Sequence, residues 1–339
     1  MSEGDAKKVT ETVLQHAQQM ARGCGARAIV VCADAFASPT EVESHLPRDP
    51  ELKTLLVTRD PKPFREALDD SFEVIEVPNV KLTRMGQIKM GILLGLSRGT
   101  LRQGDSLICL SGIAGSGELD TILFTVVGEE FEMFPATGGE ELRRHTNPEV
   151  FEKVLDISVA LGQEGRQGKP VGTIFVIGDI ERVQEFSEPL MLNPFQGHPE
   201  EQRNILDPSL RETIKELSAL DGAFLIRDDG VVEAAGVFLR SVIAGSILPR
   251  GLGARHRSAA AITAATKATT ITVSESTGAV TVFRDGKIII EIEKPRTVAS
   301  TESEAKGVFR KGDTADAEEQ PPRPGRKKRR GNDTSTGTP

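Results

Sequence analysis

Residues 26–33 (ARAIVVCA) form a continuous apolar run, and no other feature narrows the fold as far. A strand that is apolar at successive positions, rather than alternate ones, is buried on both faces, as in the middle of a parallel sheet covered by helices. The flanking sequence supplies the rest of such a unit. LKTLLVT (52–58), FEVIEVP (72–78), SLICLSG (106–112) and ILFTVVG (122–128) are further short β-rich runs. Residues 7–22 read as a helix contacting the core through Val9, Val13, Leu14 and Met20, and MGQIKMGILLGLSRGT (85–100) has helical spacing. Strands alternating with helices predict a mostly parallel α/β domain.

A Pro/Gly-rich stretch, FPATGGEELRRHTNPE (134–149), marks the expected boundary with a second block. There, PEVFEKVLDISVALGQEGRQG (148–168) starts as a helix and ends in a glycine-rich turn, and GTIFVIGD (172–179) is a strand. DPSLRETIKELSAL (207–220) is amphipathic, with Leu210, Ile214 and Leu217 on one face and Asp207 or Ser209 as N-cap. Asp229-Gly230 and Asp285-Gly286 are hairpin turns between β-rich runs. The alanine-rich helix SAAAITAATKAT follows the loop PRGLGARHR (249–257), and TITVSES (270–276) is a strand. This block is mixed α/β. The expected domains are 1–145, 146–295, and a tail over 296–339 too poor in apolar residues to order itself.

Composition removes several function classes. No apolar run approaches the ~20 residues that cross a bilayer, and MSEGDAKKVTETVLQ lacks the layout of a secretory signal. Cys24, Cys32 and Cys109 form no CxxC pair, so they read as buried thiols in a reducing cytoplasm. The five histidines include no HExxH, which argues against a zinc hydrolase. The chain has no Trp or Tyr for base stacking. Its net charge is −8 although the segment from Arg296 on carries ten basic and seven acidic residues, so the body is acidic and argues against a nucleic-acid-binding core. RPGRKKRR (323–330) reads either as an electrostatic dock for nucleic acid or anionic lipid, or as a solvated tail.

P-loop, dinucleotide and nucleophile-elbow motifs are all missing. Gly251-Leu-Gly253-Ala254-Arg255-His256-Arg257-Ser258 stands directly before a helix. Two glycines permit close approach of backbone to ligand, a helix start offers unpaired N–H groups, and arginine forks suit phosphate oxygens. The loop reads either as a polyphosphate cradle or as a solvated basic loop capped by Ser258. Asp221-Gly222-Ala223, between a helix and a strand, is either a cleft-facing acid for a divalent metal or a hydroxyl, or only a turn. Ser274-Glu275 ends a strand, and Glu275 is either a second metal ligand or a polar strand end. An acid for Mg²⁺ or Mn²⁺ together with two arginines is what nucleotidyl transfer requires. His256 lies between the arginines, which disfavours its protonation and makes it a neutral structural or hydrogen-bonding residue.

VGTIFVIGD (171–179), NPFQGH (193–198), LDGAFLI (220–226), GVFL (236–239), GLGARHRSAAAIT (251–263) and VSESTG (273–278) together resemble the diadenylate cyclase (DAC) family over roughly 147–295. The resemblance implies a DAC domain that binds one ATP. It implies face-to-face pairing of two such domains in a homo-oligomer, so that each 3′-hydroxyl attacks the other ATP's α-phosphate and cyclic di-AMP forms. By position it implies that Asp221 holds the metal, Mn²⁺ or Mg²⁺, with Glu275 close by. Asp221, which would also activate the 3′-hydroxyl, would serve catalysis with Arg255 and Arg257, and the two arginines would hold phosphates as well. Gly222, Ala223, Leu239, Gly253, Ala254, His256, Ser258 and Ser274 would line the ATP. Two positions depart from the family pattern: Ala254 stands where threonine is frequent, and Leu220 where some members have histidine. A catalytically weak DAC-like sensor of ATP or cyclic di-AMP is the alternative. ARAIVVCA and GDSLICLSGIAGSGELDTILFTVVG (104–128) resemble the C-terminal domain of pyruvate kinase, and the whole layout resembles the archaeal type of diadenylate cyclase. Ser111-Gly112 and Gly115-Ser116-Gly117 then read either as an anion nest or as a plain turn.

Overall fold

Strands whose every residue is buried form the middle of two separate sheets. The structure, a computed structural model, describes residues 3–36, 38–46, 52–69, 71–129, 145–240 and 253–295. The first half runs α1 (Glu3–Cys24), β1 (Ala28–Cys32), α2 (Pro39–His45), β2 (Lys53–Thr58), α3 (Lys62–Ala67), β3 (Phe72–Glu76), α4 (Arg84–Ser97), β4 (Ser106–Ser111) and β5 (Thr121–Val126). Its sheet has the order β3-β2-β1-β4-β5. β1 pairs in parallel with β2 and β4, and β2 with β3, while β5 turns back antiparallel on β4. All five residues of β1 are buried, as its apolar run requires. Val30, Cys32 and Cys109 share one core with α4, whereas Ile29, Val31 and Ile108 share the other with Leu14 and Ala17 of α1. The Thr83 hydroxyl caps α4 by accepting from Gly86 N at 2.9 Å.

The second half runs α5 (Pro148–Glu164), β6 (Thr173–Ile177), α6 (Ile180–Gln184), β7 (Ser187–Pro189), α7 (Leu210–Leu217), β8 (Ala223–Ile226), β9 (Val232–Leu239), α8 (Ala254–Ala265), β10 (Thr269–Val273), β11 (Val280–Arg284) and β12 (Lys287–Ile292). Its sheet has the order β12-β11-β10-β6-β8-β9-β7. Among the described strands only β6 and β8 pair in parallel, so this sheet is mixed. α5 buries Phe151 and Leu155 in the core that also holds Phe175 and Phe224, whose rings stack 5.0 Å apart. α8 buries Ala259, Ala260 and Ile262 with Ile174, Val176 and Leu225, whose side chains point to the opposite face of their strands. Both expected hairpins are present, the second turning through Asp285 and Gly286 at φ 50° and 74°.

Both sheets lie within one compact unit, Met1–Pro295. The core that contains α4 continues into the second half through Val150, Phe151 and Ile290. Arg98 Nε and Nη2 each donate to a Glu152 carboxylate oxygen at 2.7 Å, and Lys89 Nζ donates to the Glu291 carbonyl at 3.3 Å. Among the described residues no helix is long and apolar enough to cross a membrane.

Several details differ from expectation. Cys24 is exposed, because it ends α1 where that helix leaves the core; Cys32 and Cys109 are buried as expected. Burial pushes the Cys32 thiol up to about 12, which keeps it protonated. In the glycine-rich loop after β4 the three amides of 115–117 are turned inward. Gly115 N and Gly117 N donate to the carbonyls of Asp34 and Ala35, and Ser116 N to that of Ile113, so the amides are spent inside the protein. Ser209 occupies the N-cap position of α7, but its side chain makes no cap bond; Asp207 Oδ1 instead accepts from Ser209 N. The boundary stretch over 130–144, residues 241–252 with Gly251, and the tail with its 323–330 cluster lie outside the described residues.

Candidate active site

The entry to β8 is made by a backbone that only glycine tolerates. Gly222 has φ +108°, and a Cβ there would meet Val237 N at 2.6 Å and Gly236 C at 2.7 Å. This close approach places Asp221 at the mouth of a cavity with its side chain 89% exposed. Ala223 and Leu239, on the adjacent strands β8 and β9, form an apolar part of the wall. Gly253 is the N-cap of α8 and, with Ala254, Arg255, His256 and Ser258, lines the same cavity. The first-turn amides of a helix lack intrahelical acceptors and carry partial positive charge. Ser274 and Glu275, directly after β10, line the third side. The cavity measures about 1270 Å³, enough for a nucleoside triphosphate.

At its centre Arg255 stands between two acids. Its Nη2 lies 3.5 Å from Asp221 Oδ1, and its Nη1 donates to Glu275 Oε2 at 3.1 Å. Gly172 makes the room. A Cβ at that position would come within 2.6 Å of Arg255 Nη1 and 2.9 Å of Glu275 Cβ. Ser274 Oγ lies 3.3 Å from Ser276 Oγ and accepts from Thr277 N at 3.4 Å.

The start of this helix differs from expectation in two ways. Sequence reading put the arginines in a loop capped by Ser258, yet α8 begins at Ala254, so Ser258 lies in its second turn. The helix starts early because Gly253, with φ −69° and ψ 176°, already serves as the flanking residue and its carbonyl accepts Arg257 N. The second correction concerns His256. Its protonation is disfavoured by burial, not by the flanking arginines. The ring is 8% exposed, packs edge-on to Phe283 at 5.8 Å and lies 3.4 Å from Thr281 Oγ1.

Arg257 is exposed and is not among the described residues that line the cavity. Positions i and i+2 of a helix face different ways, so the turn that brings Arg255 to the acids turns Arg257 away. Lys169, Leu190, Phe238 and Thr277 line the cavity without having been singled out in the sequence. Leu190 and Phe238 are 52% and 48% exposed, an apolar rim whose only sequence signal is the outward position of Phe238 in β9.

Among the described residues no three His, Cys, Asp or Glu side chains cluster closely enough to hold a metal by themselves. Asp221 and Glu275 are two carboxylates, on either side of Arg255, in a cavity large enough for a nucleoside triphosphate. That set fits a Mg²⁺- or Mn²⁺-type ion, which takes one or two carboxylates and completes its shell with water and phosphate oxygens.

Residues 160–288 match the family described as DisA bacterial checkpoint controller nucleotide-binding, and residues 10–134 match the family described as Probable sensor domain DacZ_P. A diadenylate cyclase of Methanocaldococcus jannaschii is 40% identical over 214 residues, which are 61% of this chain and 66% of that protein. A diadenylate cyclase of Haloferax volcanii is 35% identical over 221 residues, which are 65% of this chain and 78% of that protein. A crystal structure of a hypothetical membrane spanning protein from Bacillus cereus shares 19% identity, with a TM-score of 0.34, over 45% of this chain and 67% of its own.

Proposed function

The chain belongs to the diadenylate cyclase family, and from that premise we propose that it condenses two ATP molecules into cyclic di-AMP and two pyrophosphates. The observation that carries the mechanism is the convergence of Asp221, Arg255 and Glu275, from three distant segments, on one cavity.

The 3′-oxygen of one ATP attacks the α-phosphorus of the other, the bond to the pyrophosphate oxygen breaks, and pyrophosphate leaves. The reciprocal attack closes the ring. Asp221 receives the 3′-hydroxyl proton, as an open carboxylate within reach of the reacting oxygen can. Arg255 and the first-turn amides of α8 hold the departing polyphosphate in line and offset its charge. Ser258 and Ser274 donate hydroxyls to phosphate oxygens, with Gly253 and Ala254 offering backbone there. Ala223 and Leu239 exclude water along the base and ribose, with the Gly222 backbone beside them. His256 stays neutral and fixes the start of α8 against Phe283. Arg257 takes its phosphate role from the family resemblance alone.

Diadenylate cyclases require a divalent metal. Here Asp221 and Glu275 would hold Mn²⁺ or Mg²⁺, which when bound neutralises phosphate charge and polarises the α-phosphate. Because each cavity presents one ATP, turnover requires a homo-oligomer with paired DAC domains, working in the cytoplasm. Residues 146–295 form the cyclase domain, and residues 1–145 form a regulatory domain resembling the pyruvate kinase C-terminal domain.

The test is to incubate purified protein with ATP and either metal and to separate the products by chromatography with mass spectrometry. Cyclic di-AMP and pyrophosphate in a 1:2 ratio support the reading. ATP bound but unconverted with both metals overturns it in favour of the sensor.

A further inference from the structure

Arg255 competes with a metal for the acids of the site. Arg255 is ion-paired to both Asp221 and Glu275, two of the three described carboxylates that line the cavity. A guanidinium 3.5 Å from Asp221 Oδ1 and 3.1 Å from Glu275 Oε2 engages one oxygen of each acid, so it competes with a dication for them and repels it at short range. The same guanidinium is the cavity's fork-shaped donor for phosphate oxygens. It cannot serve acids and polyphosphate equally at once.

We propose that Arg255 is a gate that makes metal binding depend on nucleotide. Without ATP it bridges Asp221 and Glu275 and keeps the dication out. When the polyphosphate enters, it draws the guanidinium off the acids, and the ion takes its place with phosphate oxygens completing the shell. Gly172 is the positioning residue of this gate. A side chain there would press on Arg255 Nη1 from 2.6 Å and on Glu275 Cβ from 2.9 Å, so only glycine leaves the arginine room between the acids. The gate loads the site with metal and nucleotide together.

This inference rests on the proposed assignment of the cavity to ATP and a divalent metal. It is tested by direct binding of Mn²⁺ to the full chain, followed by the ion's electron paramagnetic resonance signal. The arms are wild type alone, wild type with α,β-methylene-ATP, Arg255→Met, Gly172→Ala and Asp221→Asn. Linkage requires that a nucleotide which frees the acids tightens the metal by the factor with which the metal tightens the nucleotide. The expected result is weak Mn²⁺ binding by wild type alone and about tenfold tighter binding with the analogue. Arg255→Met, without nucleotide, should also bind Mn²⁺ about tenfold tighter than wild type, because a bridge of two exposed ion pairs and a local repulsion are gone. Gly172→Ala should move the same way by a smaller factor. Asp221→Asn should abolish the signal change and so locate the ion. Melting curves matching wild type show which variants are folded.

Mn²⁺ binding by wild type that is equally tight with and without the analogue overturns the gate. So does Arg255→Met binding no tighter than wild type. Failure of the cyclase reading is separate: it would appear as absent product from ATP while the linkage between Mn²⁺ and nucleotide persists.

Discussion

Each half of the molecule sets an aspartate beside an arginine at the end of an interior strand, and the two pairs have opposite characters. Asp34, just after β1, is 8% exposed and saturated. Its carboxylate accepts from Thr58 Oγ1 at 2.7 Å, Arg59 N at 3.1 Å, Arg59 Nε at 2.6 Å and Gln87 Nε2 at 3.5 Å. Asp221, just before β8, is 89% exposed and reaches Arg255 at 3.5 Å. A carboxylate whose lone pairs are all used ties elements together. One that borders a cavity with capacity to spare is available to a ligand. The contrast separates architecture from site in two pairs of identical composition.

That contrast can be broken most sharply at the glycine that aims Asp221. Gly222→Ala puts a Cβ into the backbone of β9 at a positive φ, and should cost about 3 kcal/mol or more of stability. Urea unfolding measures it, and a stability unchanged from wild type would remove the steric argument. Asp34→Ala leaves Arg59 without its carboxylate and should cost about 3 kcal/mol in the same assay while cyclase turnover per folded protein stays within about twofold. Equal losses of turnover at Asp34 and Asp221 would erase the distinction.

His256 sharpens the comparison through pH. Burial lowers its folded-state pKa below the ordinary 6.5, so between the two values the unfolded chain binds a proton that the folded chain does not. Stability attributable to His256 is therefore present above about pH 6.5 and is lost as pH falls below it. His256→Gln should flatten that part of the stability–pH curve; an unchanged slope would refute the assignment. The smallest effect belongs to the contact between the halves. Lys89→Met removes an exposed bond to the Glu291 carbonyl, and Glu291 lines the cavity, so the KM for ATP should shift about twofold with kcat unchanged.

Much of this was legible in the sequence, for local reasons. Runs such as 26–33 declare burial on both faces, and Asp-Gly turns declare hairpins, because each property is settled within a few neighbouring residues. Asp221, Arg255 and Glu275 were legible as types at suggestive places. What escaped was set by distant partners. Gly172 looks like any glycine before a strand until Arg255 is folded over it. Leu190 and Phe238 enter the wall through the pairing of β9 with β7 and β8, and Lys169 through its bridge to Arg166 in the turn before β6. The start of α8 was misplaced because Gly253 caps by backbone geometry, whereas sequence reasoning looks for a side-chain oxygen such as that of Ser258.

The measurement that bears most directly on the central claim is cyclic di-AMP formation by Asp221→Asn, with ATP affinity and melting temperature recorded on the same preparation. The expected result is turnover reduced about 10²-fold or more, ATP affinity within about threefold of wild type, and an unchanged melting temperature, since the exposed carboxylate acts on the reacting hydroxyl and not on the fold. Turnover near the wild-type rate would contradict the assignment of Asp221 as the acid of the site.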